Sequence, residues 1–187
     1  MLPMQWAVYK GVTGKFGAIQ ITPQAPHHYK GKEKSFNEKD KDGESIFEVV
    51  DGRRKLKEGW SSRDGCLFLN IASAKDKNVY DWENKIVFAL SVSDMGQILY
   101  FLTMGCDPKG NESLSLMHDP GAKSESQGAV KKFMRLYSPK GVAKGCMVTM
   151  TQQSGGQERK HEVPLDGAEA MTLRSLLQAA IPQALNW

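Results

Sequence analysis

The stretch Tyr80-Asp81-Trp82-Glu83-Asn84-Lys85-Ile86-Val87-Phe88-Ala89-Leu90-Ser91-Val92-Ser93-Asp94-Met95-Gly96-Gln97-Ile98-Leu99 reads in order as a polar turn, a strand, a helix start and an apolar helix. The run Val87 to Val92 is too short for a helix, and its β-branched and aromatic residues favour a strand. Ser93 is the expected N-cap, with Asp94 in the first turn where a carboxylate suits the helix dipole. Met95, Ile98, Leu99, Phe101 and Leu102 then share an apolar face. A strand feeding directly into a helix makes this stretch the hinge of the chain.

Strand signals lie on both sides of it. Upstream, Trp6 to Tyr9 and Phe16 to Thr22 flank a Gly11 to Gly14 turn, and Pro23 and Pro26 are expected to stop the second strand. Arg63-Asp64-Gly65 is a turn ahead of a strand from Cys66 to Ala72. Downstream, strands are expected at Leu114 to His118, Val130 to Tyr137, Cys146 to Thr151 and Lys160 to Leu165, with Asp119-Pro120-Gly121 and Ser154-Gly155-Gly156 as turns. Asp166 and Glu169 have capping-box spacing ahead of a C-terminal helix, which Pro182 should kink or end and Trp187 closes. The order is four strands and a helix, then four strands and a helix, an α+β fold of two antiparallel sheets in one domain over residues 1–187. Residues 27–57 interrupt it. They are dense in Lys, Glu and Asp and read as a charged, solvated or partly disordered loop, with Ile46 to Val50 as one short strand.

With 187 residues, 40% hydrophobic and 25% charged, the chain has the composition of an ordinary globular domain. A net charge of +4 permits an anionic partner without demanding one. The odd set Cys66, Cys106 and Cys146 contains no Cys-x-x-Cys, which argues against a disulfide framework or zinc site and for a reducing or organellar compartment. No apolar run approaches a membrane span. No P-loop, dinucleotide fingerprint, nucleophile elbow or His-Glu-x-x-His occurs, so neither an enzyme nor a cofactor or metal is expected. His118-Asp119 could orient an imidazole but fits a turn better.

The basic residues leave a choice open. On the 130–137 strand, Lys131, Phe133, Arg135 and Tyr137 share one face, and Val130, Lys132, Met134 and Leu136 the other. Cations interleaved with rings suit a single-strand binder, in which charges follow phosphates and rings stack bases. The same pattern suits a half-buried strand whose aromatics are core and whose cations snorkel. Arg53-Arg54-Lys55 is either a phosphate contact or the charged end of a loop, and Lys10 and Lys15 flank a turn as solvated edge charges would.

Several ordered motifs resemble the Whirly superfamily of single-stranded nucleic-acid-binding proteins. They are Tyr80-Asp81-Trp82, Leu90-Ser91-Val92-Ser93-Asp94-Met95-Gly96, Tyr9-Lys10-Gly11, Pro23 to Pro26, Arg63-Asp64-Gly65, His118-Asp119-Pro120, and the spacing of Pro164, Ala168-Glu169, Pro182 and Trp187. Plant members carry an unbroken Lys-Gly-Lys-Ala-Ala-Leu, whereas here Val12-Thr13-Gly14 separates Lys10-Gly11 from Lys15-Phe16-Gly17. That departure points to the kinetoplastid mitochondrial RNA-binding branch. The resemblance implies a Whirly-like fold and a mitochondrial, non-catalytic subunit that binds single-stranded or guide RNA and promotes its annealing to mRNA in editing. It implies a hetero- or homotetramer with a related subunit, and an import presequence absent from these residues. The alternative is a Whirly-type single-stranded DNA binder in organellar genome maintenance or transcription, mitochondrial or plastid. On either reading Lys10, Lys15, Arg53, Arg54, Lys55, Lys131, Arg135 and Lys140 are the expected phosphate contacts, with Phe16, Phe133 and Tyr137 as candidate base-stacking rings.

Overall fold

Strict alternation of buried and half-buried residues in Ile86-Val87-Phe88-Ala89-Leu90 sets the first of two sheets against the core. The computed structural model describes residues 6–11, 16–119 and 130–184. In chain order its strands begin with β1 (Trp6–Tyr9) and β2 (Gly17–Gln24). Five short strands follow: β3 (His27–Lys30), β4 (Glu33–Ser35), β5 (Phe47–Val50), β6 (Arg53–Leu56) and β7 (Ser61–Arg63). Then come β8 (Cys66–Asp76), β9 (Val79–Tyr80) and β10 (Ile86–Leu90), leading into helix α1 (Val92–Met104). The second half holds β11 (Ser113–His118), β12 (Lys131–Tyr137), β13 (Cys146–Ser154), β14 (Gln157–Leu165) and helix α2 (Gly167–Ala184).

The first sheet runs β1-β2-β8-β10, with β9 beside β8, and the second runs β11-β12-β13-β14; all their pairings are antiparallel. Ile19, Ile21, Leu67, Leu69, Ile71, Phe88 and Leu90 of the first sheet meet Leu116, Met134, Leu136, Val148 and Met150 of the second in one continuous core. α1 and α2 pack against each other and add Ile98, Phe101, Leu173 and Leu177. Phe88 is fully buried, so truncating it to Ala would cost about 3–5 kcal/mol.

Three local expectations change. The cap of α1 is Ser91, not Ser93. Ser91 is extended (φ −69°, ψ 170°), its Oγ accepts the Asp94 N–H at 3.2 Å, and the Asp94 carboxylate accepts the Ser91 N–H at 2.9 Å. Only a cap at Ser91 puts the carboxylate at the third helical position, where the reciprocal box closes. The second strand does not stop at Pro23, because β1 pairs β2 only at residues 18–21. Past that point β2 is an edge on that side, and a missing N–H there costs no ladder bond. α2 runs through Pro182, its last turn held by the Ala184 carbonyl, which accepts the Gly65 N–H at 2.9 Å. The capping box at Asp166 and Glu169 forms as expected, with both bonds at 2.9 Å. Trp187 lies outside the described residues.

The largest difference is the segment 27–57, which is an ordered β-arm and not a loop. β3 pairs with β7 and β4, and β5 with β6. The β3–β7 ladder continues the β2–β8 ladder in register: Gln24 faces Cys66, and three residues along each strand His27 faces Arg63. Backbone pairing builds the arm, and the fully buried Ile46 lies between its turns, bonded by its N–H to Glu38 and by its carbonyl to Lys57.

Candidate nucleic-acid interface

The outward face of the second sheet consists of cross-strand rows fixed by the register. Ser113, Tyr137, Met147 and Pro164 form one row, and Ser115, Arg135, Thr149 and Glu162 the next. Met117, Phe133, Thr151 and Lys160 form the third, and Lys131, Gln153 and Glu158 end the face. Met134 and Leu136 are buried on the opposite side, so the alternation predicted for this strand holds. The rings are not core: Tyr137 is 39% exposed and Phe133 half-buried, beside Met117 at 62%. The Arg135 guanidinium carbon lies 5.4 Å from the Tyr137 ring centroid, a cation–π arrangement that holds both side chains toward solvent.

Charge on this face is unevenly partnered. On β14, Lys160 and Glu162 are 2.7 Å apart, and Thr149 Oγ1 donates to Glu162 at 3.2 Å. The Lys160 bond pulls the Glu162 pKa below the ordinary carboxylate value. On β12, Lys131 and Arg135 have no carboxylate within ion-pairing distance among the described residues. The uncompensated positive charge therefore sits on the strand that also carries the exposed rings.

The other cations are placed differently. Lys10 pairs with Glu169 at 2.8 Å and Asp166 at 3.6 Å at the start of α2, and the bond to Glu169 raises its pKa. Arg54 pairs with Glu38 and lies 4.0 Å over the Phe47 ring. Arg53 and Lys55 are exposed on the same hairpin of the arm, and Lys140 is exposed in the turn after β12. Phe16 is half-buried at the foot of β2, its carbonyl accepting the Ala74 N–H. Lys15 lies outside the described residues. Thus Lys131, Phe133, Arg135 and Tyr137 come together, while Lys10 and the Arg53–Lys55 cluster lie on other elements.

Lys132 points inward. Its ammonium donates to the Val87 carbonyl on the free edge of β10 at 2.9 Å, and burial with Arg159 nearby lowers its pKa. It joins the two sheets and closes an exposed edge. His118 is likewise structural: its ring stacks on Phe88 with centroids 4.1 Å apart, and its Nε2 lies 3.1 Å from Asp94 Oδ2. The imidazole ties β11 to the cap of α1, an arrangement that the turn reading of His118-Asp119 does not contain.

A second surface has no counterpart in the sequence analysis. Where the outer face of the first sheet meets the arm, a groove of about 410 Å³ is lined by Gln24, Phe68 and Ala89 on one side and Tyr29, Lys34 and Arg63 on the other. Arg63 sits 5.0 Å over the Tyr29 ring. These residues come from β2, β3, β4, β7, β8 and β10, and the β2–β8 and β8–β10 registers together with the arm pairing bring them into one groove. Among the described residues no three His, Cys, Asp or Glu side chains are placed to hold a metal ion. All three cysteines are free, and burial pushes the Cys146 thiol up to about 12, which leaves it inert as a nucleophile.

Comparison with known proteins adds independent findings. The Whirly transcription factor family model matches residues 53–176. The chain is 28% identical over 127 residues to the chloroplastic single-stranded DNA-binding protein WHY1 of Solanum tuberosum, covering 67% of this chain and 44% of that one. It is 27% identical over 145 residues to the mitochondrial single-stranded DNA-binding protein WHY2 of Arabidopsis thaliana, covering 76% and 56%. The chain thus spans about half the length of the curated relatives it matches. The crystal structure of WHY1 from Arabidopsis thaliana superimposes with a TM-score of 0.69 at 25% identity, over 100% of this chain and 93% of that one.

Proposed function

Because this chain belongs to the Whirly transcription factor family, we propose that it is a non-catalytic protein that binds single-stranded DNA in an organelle. The observation that carries the reading is the outward face of β12, where Lys131 and Arg135 lack acidic partners among the described residues and alternate with the accessible rings of Phe133 and Tyr137. Lys131 and Arg135 take phosphates, and the rings and Met117 offer flat apolar surface to bases. Mitochondrion and plastid are both represented among the relatives, whose names specify single-stranded DNA. Those names favour DNA over the guide-RNA annealing role in mitochondrial editing that the split Lys10-Gly11 segment suggested.

The electrostatic field of one copy is thin. Three cations, Lys131, Arg135 and Lys160, stand against Glu158 and Glu162 on this face. Affinity at physiological salt therefore calls for several copies on one strand, and a tetramer is part of the proposal. Fluorescence anisotropy with a labelled oligonucleotide of one length, as DNA, as RNA and as duplex DNA, tests the reading. The expected order is single-stranded DNA tightest and duplex weakest. Equal binding of duplex, or no binding, overturns it, and a clear RNA preference restores the RNA-binding reading. Light scattering should give a mass above that of one chain.

A further inference from the structure

We propose that the groove at the root of the arm takes one unstacked nucleobase of the bound strand. The inference rests on the single-strand reading above and adds a base-contacting subsite built jointly by the first sheet and the root of the arm.

The groove exists because one ladder is shared by two sheets. β2 and β8 pair as far as Gln24 and Cys66, and β3 and β7 resume the same register at His27 and Arg63. Gly65 sits at the interruption. A Cβ there would lie 2.7 Å from the Ala184 Cα and 2.9 Å from the Gln24 carbonyl oxygen, so the end of α2 can seat against the joint only because residue 65 lacks a side chain. The outer face of the first sheet supplies Gln24, Phe68 and Ala89, and the arm supplies Tyr29, Lys34 and Arg63.

Each surface suits part of a nucleotide. Phe68 and Tyr29 are half-buried rings that line the groove, and stacking on an aromatic ring tolerates any base. The Arg63 guanidinium already lies over Tyr29, so a second planar π-system extends an existing stack. Lys34 and Arg63 at the rim exceed the single carboxylate of Asp64, which favours a phosphate at the mouth. The Gln24 amide has both a donor and an acceptor for a base edge. At about 410 Å³ the groove is near the lower end of small-ligand sites, a size for one nucleotide unit rather than a folded nucleic acid or a peptide helix.

The test crosses protein variants with base-deleted ligand. Affinities of the full chain, Tyr29→Ala and Phe68→Ala are measured by anisotropy for a 12-nucleotide thymidine strand and for the same strand made wholly of abasic units. Tyr29→Ala should weaken binding of the intact strand by about 5- to 150-fold, the range for loss of one stacked base. It should leave the abasic strand within twofold of wild type and the salt dependence unchanged, because the ring is neutral. Phe68→Ala should do the same, with a thermal melt confirming its fold; if it does not fold, Tyr29→Ala decides alone. Equal losses on both strands, or no loss on either, overturn the groove. If the wild-type chain binds neither strand, the single-strand reading falls and the groove with it. If it binds both with ordinary salt dependence but without coupling to Tyr29, only the groove falls.

Discussion

Arg135→Ala tests the β12 face most directly, because it removes charge without touching the core. Arg135 is exposed, pairs across the sheet with Ser115 and Thr149, and has no carboxylate partner among the described residues. Among the described residues its one side-chain hydrogen bond is a 3.4 Å donation to the exposed Ser113 Oγ, so truncation leaves no buried group unsatisfied and folding stability should change by less than about 0.5 kcal/mol. Binding should change in a defined way. Each phosphate neutralised on a single strand contributes about 0.7 to the slope of log K against log salt. Loss of one contact lowers that slope by about 0.7, and a fourfold rise from about 50 to 200 mM salt then narrows the gap between wild type and variant about 2.6-fold. Phe133→Ala is the matched comparison, since loss of a neutral ring lowers affinity at every salt concentration and leaves the slope alone. The assay is anisotropy of a labelled thymidine strand across a salt series. An Arg135→Ala slope equal to wild type would refute the placement of phosphates on this face, as would a Phe133→Ala change in slope.

Three further outcomes follow from the geometry. Gly65→Ala forces a methyl against Ala184 and Gln24 and should destabilise by about 1–3 kcal/mol, read as a lower urea midpoint with unchanged m-value. Ser91→Ala removes half of the capping box and should cost about 1 kcal/mol, lowering Tm by about 2–4 °C. Glu162 has a folded pKa below its ordinary 4.5, so its contribution is complete above that value and is lost as pH falls through the folded pKa. Tm of Glu162→Gln should accordingly fall less steeply than that of wild type on acidification below about pH 4.5, in a scanning-calorimetry series; parallel profiles would remove the Lys160 partnership as its cause.

The hinge was legible because two periods change at one place. Ile86, Phe88 and Leu90 alternate, then Met95, Ile98 and Leu102 recur at helical spacing. The cap moved by two residues because Ser91 and Ser93 are equivalent as isolated hydroxyls; the Asp94 carboxylate, bonding back to Ser91, decides between them. The outward face of β12 was legible as a face, since parity alone sorts Lys131 and Arg135 from Met134 and Leu136. Whether its rings were buried was not, because burial depends on what covers that face. Lys10 looked like Arg135 in sequence, but its two acidic partners lie more than 150 residues away on α2.

The arm was hidden for a different reason, and that reason bears on its use. A narrow ribbon exposed on both sides needs no alternation of apolar and polar residues, so its strands carry the composition of a loop. What orders it is backbone pairing continued from β2 and β8, which no side-chain pattern encodes. Apart from the buried Ser35 and Ile46, such a ribbon buries little along its length, and its root is fixed where the end of α2 closes on Gly65. The root is therefore the part of the arm whose geometry is set by three elements at once. The groove lined by Phe68, Tyr29 and Arg63 lies at that root and not at the exposed Arg53–Lys55 hairpin. A base held at the root meets a pre-organised surface and forfeits little ordering entropy, whereas on the hairpin Arg53 and Lys55 are exposed and Arg54 is already paired with Glu38. That difference separates the two positive regions of the arm: specific contact belongs at its root, and screened, long-range attraction at the β5–β6 hairpin.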